Sequence, residues 1–466
     1  MAKVKTSYQC SECGWQSSKW LGQCRNCKAW GTLEETVPAD EPPTSRNKIA
    51  GKTPSHKALP ISEVDIADAR FIPTGIGELD RVLGGGLVAG SVVLLAGEPG
   101  VGKSTLLLDV AGKVASKWKN KSVLYVTGEE SAAQVRLRAE RIGALADNLL
   151  LAAETELENV LGHIDQCSPS LVIADSVQTI ASAQVSGQAG NVTQVRAVCS
   201  ALIEVAKSRG IPILLVGHVT KSGGIAGPRV LEHLVDVVTQ FEGDRHTRLR
   251  LLRAVKNRYG ATDEVGCFEL VERGIIGLAD PSGLFLSQTS SRVPGTCVTV
   301  TLEGRRPMPT EIQALVSPLV SGGSARRTTS GLDYSRVAMT LAVLQARLRL
   351  ALSNCDVYVS TVGGAKTSEP AVDLAVALAI TSAAQSRPPL EKMVAIGEVS
   401  LTGEIRATVG CGRRLSEAAR LGFRHALIPR LGADEVTAPK GMTLHPVTNL
   451  AEAVMIALPE GEATSK

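Results

Sequence analysis

The residues best suited to chemistry lie in a glycine-rich stretch around Gly100. An apolar run that begins at Val92 opens there into the spacing G-x-x-x-x-G-K-S, and apolar residues at helical spacing follow it. Backbone N–H groups of such a loop can surround phosphate oxygens, while Lys103 can neutralise the β- and γ-phosphates and the Ser104 hydroxyl can bind Mg²⁺. A chance glycine loop is the alternative, and the flanking strand and helix patterns argue against it. The residues predicted to bind ATP are Gly97, Glu98, Pro99, Gly100, Val101, Gly102, Lys103, Ser104 and Thr105.

Three further polar residues each follow an apolar run of the kind that forms a buried parallel strand. They are Glu129, Asp175 and His218. The carboxyl ends of parallel strands meet at one edge of a sheet, where open α/β sheets bind ligands. We expect Asp175 to hold Mg²⁺ directly or through water, Glu129 to orient or deprotonate the attacking water, and His218 to hydrogen-bond the γ-phosphate. Glu130 is the alternative base, and a solvated strand end is the alternative for each residue.

Four cysteines near the amino terminus have the spacing of a metal site. Cys10 and Cys13 form one C-x-x-C pair, and Cys24 and Cys27 form a second. Four thiolates at this spacing suit tetrahedral Zn²⁺, and so short a segment has too little core to fold unaided. A redox dithiol pair or disulfides are the alternatives, but a redox C-x-x-C motif belongs to a βαβ context that this segment lacks. The residues expected to pack around this zinc module are Trp15, Trp20 and Trp30.

The elements that must position these groups follow from the apolar runs. Beyond the strand before the P-loop, the sequence predicts four strands of a parallel sheet alternating with helices, over residues 123–126, 171–174, 213–216 and 249–255. Residues 34–60 are rich in Pro, Ser, Thr and charged residues, as a flexible linker is. The zinc module is therefore expected to be tethered to an α/β domain rather than packed on it.

Composition excludes several classes of protein. The chain has 466 residues, 44% of them hydrophobic, and a formal net charge of +4, which is typical of a soluble globular protein with two or three domains. The longest apolar run, residues 371–384, contains Asp373 and is too short to cross a bilayer, and no apolar targeting segment precedes Cys10. We expect a cytoplasmic protein with no membrane partner. Six further cysteines, scattered among apolar residues, are expected to be reduced thiols.

Two motifs carry a resemblance to known ATPases. Residues 74–87 read TGIGELDRVLGGGL, and this segment followed by the P-loop resembles the RecA-like branch of P-loop ATPases. Residues 256–260 read KNRYG, similar to the KNRFG motif of the RadA (Sms) family of bacterial DNA repair proteins and to the K-x-R-x-G element of DnaB-type helicases. The resemblance implies that Lys256 and Arg258 reach the γ-phosphate of a neighbouring subunit, which requires a ring or filament. A basic turn between two strands is the alternative.

The carboxyl-terminal part of the chain resembles the proteolytic domain of Lon. The resemblance rests on residues 356–364, on the helical pattern after Pro370 and on residues 396–405. Lon uses a serine and a lysine, and the matched positions hold Ala371 and Gly412, so acyl transfer has no nucleophile or base. The resemblance implies a domain that is inactive as a protease and serves as an oligomerisation ring with a basic surface for DNA. The arginines expected on that surface, with an ordinary solvated face as the alternative, are Arg305, Arg306, Arg326, Arg327, Arg347, Arg349, Arg413 and Arg414.

Two segments between predicted strands suit the loops that line the channel of RecA-like rings. Residues 178–194 are rich in Gly, Ser and Gln, and residues 221–229 are basic and rich in glycine. Such loops follow the phosphate backbone of single-stranded DNA in a salt-sensitive way that does not depend on base sequence. Ordinary surface loops are the alternative.

The order of these parts is that of the RadA family over essentially the whole chain. The resemblance implies a zinc finger at residues 1–33, a flexible linker at 34–65, a RecA-like ATPase domain at 66–285 and an α+β Lon-protease-like domain at 286–466. It also implies Zn²⁺, Mg²⁺, a hexameric ring, single-stranded and branched DNA as partners, and RecA recombinase beside it. The implied activity is DNA-dependent ATP hydrolysis that drives translocation on single-stranded DNA and branch migration in DNA repair. An ATP-dependent protease and a KaiC-like signalling ATPase are the alternatives.

Overall fold

The computed structural model divides the chain into two units, Met1–Asp65 and Ile66–Lys466. Large and small sheets with helices between their strands give the mixed α/β architecture that the sequence predicts, so the fold class is confirmed. Within the part of the chain that the structure describes, none of the helices has the length and apolar character needed to span a membrane. The described residues are 7–11, 15–17, 19–36, 60–63, 70–218, 231–243, 248–287, 293–319, 324–433 and 436–459.

The amino-terminal unit contains a small antiparallel sheet. Two cysteines and Leu33 form its buried core, and Trp15 packs against them. Trp20 is 60% exposed and Trp30 is 76% exposed, so the expectation that all three tryptophans pack around the module was wrong for these two. So small a core is already filled by the cysteines and their immediate neighbours. The described elements of this unit are β1 (Ser7–Cys10), β2 (Gln16–Ser17), β3 (Leu33–Thr36) and a helical turn at Ile61–Glu63, with the strands in the order β2-β1-β3.

A nine-stranded sheet carries the P-loop in the second unit. A short antiparallel pair, β4 (Phe71–Ile72) and β5 (Leu87–Val88), lies next to it in sequence. The strands of the large sheet are β6 (Val92–Gly97), β7 (Val123–Thr127), β8 (Leu149–Ala153), β9 (Leu171–Asp175), β10 (Ile213–His218), β11 (Val237–Gly243), β12 (Leu249–Asn257), β13 (Val265–Val271) and β14 (Gly274–Gly277). They run in the order β14-β13-β12-β11-β6-β10-β9-β7-β8.

Helices cover both faces of this sheet, which explains why its parallel strands read as continuous apolar runs. In β6, Val93 and Leu95 belong to one core cluster, whereas Val92 and Leu94 belong to another, because alternate residues of a strand face opposite sides. The first three helices pack into the cluster with Val93, and the next two pack into the cluster with Val92. The helices are α1 (Gly77–Leu83), α2 (Lys103–Lys117), α3 (Ala132–Ile142), α4 (Leu157–Cys167) and α5 (Val192–Arg209).

One strand predicted as parallel runs in the opposite direction. Strand β12 is antiparallel to β11 and β13, whereas β11 is parallel to β6. Gly243 ends β11 and Leu249 begins β12, and so short a connection joins antiparallel strands, because a parallel pair needs a crossover of about a dozen residues or more. Lys256 and Asn257 lie inside β12 rather than after it. The carboxyl end of β12 therefore lies at the edge of the sheet opposite the P-loop.

A seven-stranded mixed sheet forms the carboxyl-terminal part of the same unit. A turn at Pro370–Val372 and a buried helix at Asp373–Gln385 occupy the position of the helix predicted after Pro370. The strands are β15 (Thr296–Glu303), β16 (Arg306–Pro318), β17 (Arg327–Ser330), β18 (Cys355–Thr361), β19 (Met393–Ala395), β22 (His425–Pro429) and β23 (Thr443–Val447), with β20 (Glu398–Val399) and β21 (Ile405–Arg406) as a separate pair. The helices are α6 (Ser282–Phe285), α7 (Tyr334–Leu348), α8 (Asp373–Gln385), α9 (Cys411–Arg420) and α10 (Leu450–Ala457).

Two of the eight arginines expected on a basic surface are buried instead. Arg306 is 7% exposed and pairs with Glu78, which ties the seven-stranded sheet to helix α1. Arg414 is fully buried, pairs with Glu369 and donates a hydrogen bond of 2.6 Å to the carbonyl of Val300. A guanidinium in such surroundings is stable only when it is paired and hydrogen-bonded. These two arginines therefore stabilise the fold and are not part of a surface for DNA.

Candidate nucleotide-binding site

The P-loop connects the end of β6 to the start of α2. Gly100 has a φ of 81° and Gly102 a φ of 107°, both in the left-handed region that glycine adopts without strain. A Cβ atom at Gly97 would lie 2.7 Å from the carbonyl oxygen of Phe241, so this position also needs glycine. The loop then leads into α2 at Lys103, where the first N–H groups of the helix have no partner within the helix. Strand, loop and helix thus stand in the order that phosphate binding requires.

Lys103 is held inside this loop. Its Nζ donates hydrogen bonds to the carbonyl oxygens of Gly97 at 2.8 Å and Glu98 at 3.0 Å, and the residue is 4% exposed. Burial lowers the pKa of Lys103 to about 8, against the nearby charges of Asp175 and Glu129, which raise it. Phosphate groups in the loop would favour the charged ammonium form. The Lys103 ammonium can therefore replace its hydrogen bonds to the two carbonyls with hydrogen bonds to phosphate oxygens.

Asp175 lies beside the first turn of α2, and its surroundings suit a divalent cation. Burial raises the pKa of Asp175, while hydrogen bonds from the hydroxyls of Tyr125 and Ser104 oppose that shift. The Tyr125 hydroxyl donates to Asp175 Oδ2 at 2.6 Å. A carboxylate and a serine hydroxyl in contact are the oxygen ligands that Mg²⁺ takes next to nucleotide phosphates, so these residues fit that ion. Tyr125 was not singled out from the sequence, although a tyrosine in an apolar strand needs a partner for its hydroxyl.

Glu129 and His218 are in direct contact. His218 Nε2 lies 2.9 Å from Glu129 Oε1, and the Ser176 hydroxyl donates to the same oxygen at 2.5 Å. Ser176 follows Asp175 directly, so these contacts place the Glu129 carboxylate next to the predicted Mg²⁺ ligands. Glu130, the alternative base, pairs instead with Arg138 of α3. The geometry thus favours Glu129 over Glu130, and the catalytic role of Glu129 stays a prediction.

Lys256 and Arg258 are far from the P-loop of their own chain. The main-chain N–H of Arg258 donates to the main-chain carbonyl of Asp236. The main-chain N–H of Asp236 in turn donates to the carbonyl of Val92. Arg258 therefore lies level with Val92 at the start of β6, and Gly97 ends that strand five residues later, about 17 Å away along a strand. Lys256 precedes Arg258 by two residues at the end of β12. The structure brings Lys103, Ser104, Asp175, Glu129 and His218 together, and it separates Lys256 and Arg258 from them.

The segments predicted to face DNA are described in part. Residues 221–229 lie outside the described residues. In residues 178–194, the first and last glutamines are buried, and the Gln194 amide donates to the carbonyls of Ser182 at 3.0 Å and Val185 at 2.6 Å. The Gln194 side chain thus fixes one end of this loop, and Gln184 and residues 186–189 are exposed within it.

Neither position matched to the catalytic pair of Lon offers a reactive side chain. Ala371 is 1% exposed and lies in a buried cluster with Val300 and Ile396. Gly412 is the second residue of α9. Cys411, its neighbour, packs against the same cluster as Ala371, and burial raises the pKa of its thiol. A thiol whose pKa is raised is a poor nucleophile, so Cys411 does not take the place of the missing serine.

Three of the four predicted zinc ligands lie together. The sulfur atoms of Cys10, Cys24 and Cys27 are all within 4.8 Å of one another, and those of Cys10 and Cys27 are 3.6 Å apart. A tetrahedral zinc site with Zn–S bonds of about 2.3 Å places its sulfur atoms about 3.8 Å apart, so this spacing fits the ion. Cys13 lies outside the described residues. Cys10, Cys24 and Cys27 would hold the metal, with Cys13 predicted as the fourth ligand.

Replacing Cys24 with serine should release the metal. We expect one Zn²⁺ per chain in the starting protein and none in the Cys24→Ser variant, because a serine hydroxyl does not replace a thiolate on zinc. Elemental analysis of the purified proteins measures this directly. Only the amino-terminal unit should unfold, so ATP turnover stays unchanged. Cys167→Ser, outside the cluster, is the matched control, and a preparation that holds iron or no metal would contradict the assignment.

Comparisons with known proteins cover the three parts of the chain. The domain family described as a Rubredoxin metal binding domain matches residues 8–35, the AAA domain family matches residues 58–224, and the family described as Subunit ChlI of Mg-chelatase matches residues 336–431. The DNA repair protein RadA of Mycolicibacterium smegmatis is 52% identical over 462 residues, which cover 97% of each chain. The DNA repair protein RadA of Bacillus subtilis is 44% identical over 459 residues, covering 98% of this chain and 100% of the relative. The crystal structure of a KaiC-like protein from Pyrococcus horikoshii aligns with a TM-score of 0.38 at 20% identity, over 45% of this chain and 99% of that one.

Proposed function

The chain belongs to the RadA family of DNA repair proteins, and on that premise we propose that it is a ring-forming, DNA-dependent ATPase that translocates on single-stranded DNA. The AAA domain with its P-loop makes the protein an ATP hydrolase. In the proposed role, hydrolysis drives branch migration of recombination intermediates beside RecA. The ring is proposed to be a hexamer, with residues 178–194 and 221–229 toward the DNA.

One chain supplies the phosphate-binding half of the proposed site. The Lys103 ammonium and the N–H groups of the P-loop bind the β- and γ-phosphates. Bound Mg²⁺, held by Ser104 and Asp175, would neutralise charge on the phosphate oxygens. Glu129 orients the attacking water and accepts its proton, and its contact with His218 fixes the direction of the carboxylate. The His218 ring is then placed to respond when the γ-phosphate leaves.

The position of Lys256 and Arg258 is the observation that carries the proposal of a ring. Arg258 lies level with the amino end of β6, and Lys256, level with Leu94, turns its ammonium to the carbonyls of Glu232 and Val235. The nucleotide site lies beyond the carboxyl end of β6. A separation of about 17 Å along a strand is too long for an arginine side chain to cross. Their proposed target is therefore the γ-phosphate on a neighbouring chain. There they would stabilise the charge of the transition state, as arginine fingers do.

Single-stranded DNA should raise the rate of ATP hydrolysis. We expect turnover per chain to increase on adding an oligonucleotide and the stimulation to weaken as salt rises, because contacts to the phosphate backbone release counterions. ATP turnover measured over a series of salt concentrations tests this, with Lys103→Ala as the control for contaminating ATPases. Turnover that single-stranded DNA of any length leaves unchanged would count against a DNA-dependent ATPase and in favour of a signalling ATPase.

A further inference from the structure

A buried carboxylate lies at the base of the segment that carries Lys256 and Arg258. Asp236 is 3% exposed and directly precedes β11. Its Oδ1 accepts a hydrogen bond from the Arg258 guanidinium at 3.2 Å. Its Oδ2 accepts from the Lys207 ammonium at 2.8 Å and from the Val92 N–H at 3.0 Å. One carboxylate thus joins the start of β6, helix α5 and the turn after β12.

Lys256 is bound to the same short segment of chain. Its Nζ donates to the carbonyl oxygens of Glu232 at 2.7 Å and Val235 at 2.9 Å. Lys256 and Arg258 are therefore both attached to residues 232–236. The two contacts differ in kind, because Lys256 binds main-chain carbonyls and Arg258 binds a charged side chain. The orientation of Arg258 thus depends on one identifiable residue, Asp236.

Asp236 and Arg258 differ in exposure in a way that suits Arg258 to contact a second molecule. The Asp236 side chain is 4% exposed and is fixed from one side by Lys207 and Val92, whereas the Arg258 side chain is 54% exposed. Within the described residues, the hydrogen-bond partner of the guanidinium is Asp236, through NH1 alone. A guanidinium carries five N–H donors in a rigid fork, so one contact leaves most of these donors available to a second molecule.

We propose that Asp236 is a positioning residue for Arg258, which holds the guanidinium in the orientation that meets the γ-phosphate of a neighbouring chain. The inference rests on the proposed function, in which Arg258 acts on that neighbour. Asp236 itself touches neither nucleotide nor water in this scheme. Its carboxylate restricts the rotation of a long side chain before the neighbour binds, so less conformational freedom is lost when the complete site forms.

Replacing Asp236 with asparagine tests this role with little change of shape. The Asn carbonyl can still accept from Val92 and Lys207, but its NH₂ group then meets the donors of Arg258, so the contact with Arg258 is lost. We expect ATP affinity to stay unchanged, because the P-loop of the chain is intact. We expect kcat to fall by roughly tenfold to a hundredfold, the range for losing one hydrogen bond to a charged group.

Mixing with a chain that lacks the P-loop lysine separates positioning from a general structural effect. In rings formed from Asp236→Asn and Lys103→Ala chains, some P-loops of the first chain meet an intact Arg258 of the second, so activity should return. Arg258→Ala mixed with Lys103→Ala is the reference. If that reference recovers and the Asp236→Asn mixture does not, Asp236 acts on its own P-loop and the inference is overturned. If the reference mixture stays inactive in rings shown to contain both chains, the proposed action of Arg258 on a neighbouring chain is contradicted, whatever the Asp236→Asn mixture does.

Lys207→Met is the matched control, since it removes the other cation from the same carboxylate. The Lys207 side chain is 48% exposed, so its replacement leaves the buried core in place, and the kcat of this variant is compared with that of the starting protein. We expect it to keep its kcat, because the Val92 N–H still holds the carboxylate of Asp236 and that carboxylate still accepts from Arg258. A fall in kcat of about tenfold or more in Lys207→Met would show that hydrolysis depends on Lys207 rather than on the contact of Asp236 with Arg258, and it would overturn the inference whether or not Asp236→Asn folds. An Asp236→Asn chain with unchanged kcat would also overturn it.

Discussion

Replacement of Lys103 by alanine is expected to abolish ATP hydrolysis while leaving the protein folded. The Lys103 ammonium donates to two main-chain carbonyl oxygens of the loop, those of Gly97 and Glu98. Its removal therefore takes away the charge that faces the phosphates without opening a cavity in the apolar core. Lys113→Ala is the matched control, because Lys113 lies on the same helix and forms an exposed ion pair of 2.5 Å with Asp109.

ATP turnover and circular dichroism, measured on both lysine variants, decide the result. The Lys103→Ala chain should keep the helical signal of the starting protein and show no turnover above background. The Lys113→Ala chain should keep both, since an exposed ion pair of this kind contributes less than about 1 kcal/mol. A folded Lys103→Ala chain that still hydrolyses ATP would remove the basis for placing the nucleotide in this loop.

The Arg258→Ala chain is expected to bind ATP with near-normal affinity and to lose hydrolysis by ~10³-fold or more, as the removal of an arginine finger does. Affinity is retained because the P-loop of the same chain lies at the other edge of the sheet. Arg209→Ala is the matched control, since Arg209 also ends in an exposed guanidinium that is paired with an aspartate, Asp165. Equilibrium binding of ATP and steady-state turnover, measured on each variant, separate the two effects.

Mixing experiments then distinguish action on a neighbour from action within one chain. An Arg258→Ala chain offers an intact P-loop, and a Lys103→Ala chain offers an intact Arg258. Some interfaces in mixed rings contain both an intact P-loop and an intact Arg258, so activity should reappear although each variant alone is inactive. Absence of activity at every mixing ratio, in rings shown to contain both chains, would favour the alternative that residues 256–260 are a basic turn within one subunit.

The placement of the candidate nucleotide-binding residues was largely predictable because each part of the site is local in the sequence. The P-loop lies within one strand, loop and helix, and Asp175 and Glu129 each end or directly follow an apolar strand. Because parallel strands bring their carboxyl ends together, their proximity follows from the motif order. The contact of His218 with Glu129, 89 residues apart, depends on the order of strands in the sheet. That order is not visible in apolar periodicity.

The direction of β12 was not predictable from its residues. An alternating apolar strand has the same pattern whether it runs parallel or antiparallel to its neighbour, so only the short connection before Leu249 carried a signal. The consequence for the proposed function is large. The reversal moves Lys256 and Arg258 from the nucleotide edge of the sheet to the opposite edge.

The burial of Arg414 was not predictable from the residues next to it in the sequence. Arg413 and Arg414 are adjacent and chemically identical, yet Arg413 is exposed and Arg414 is fully buried. The difference comes from Glu369, which is 45 residues away in the chain and supplies the paired charge. Neighbouring positions on a helix point in directions about 100° apart, and the packing of α9 decides which of them faces inward. Local composition contains no information about that partner.

In the proposed site, the P-loop and Arg258 lie at opposite edges of one sheet. Each chain therefore has two unlike contact surfaces. Contacts that join unlike surfaces repeat in one direction, and they end only when the assembly closes on itself. An open row of such chains has one P-loop without a partner at one end and one Arg258 without a target at the other. Closure joins these two ends, so the assembly gains a complete site without gaining a chain. Turnover per chain would then report whether the assembly is open or closed.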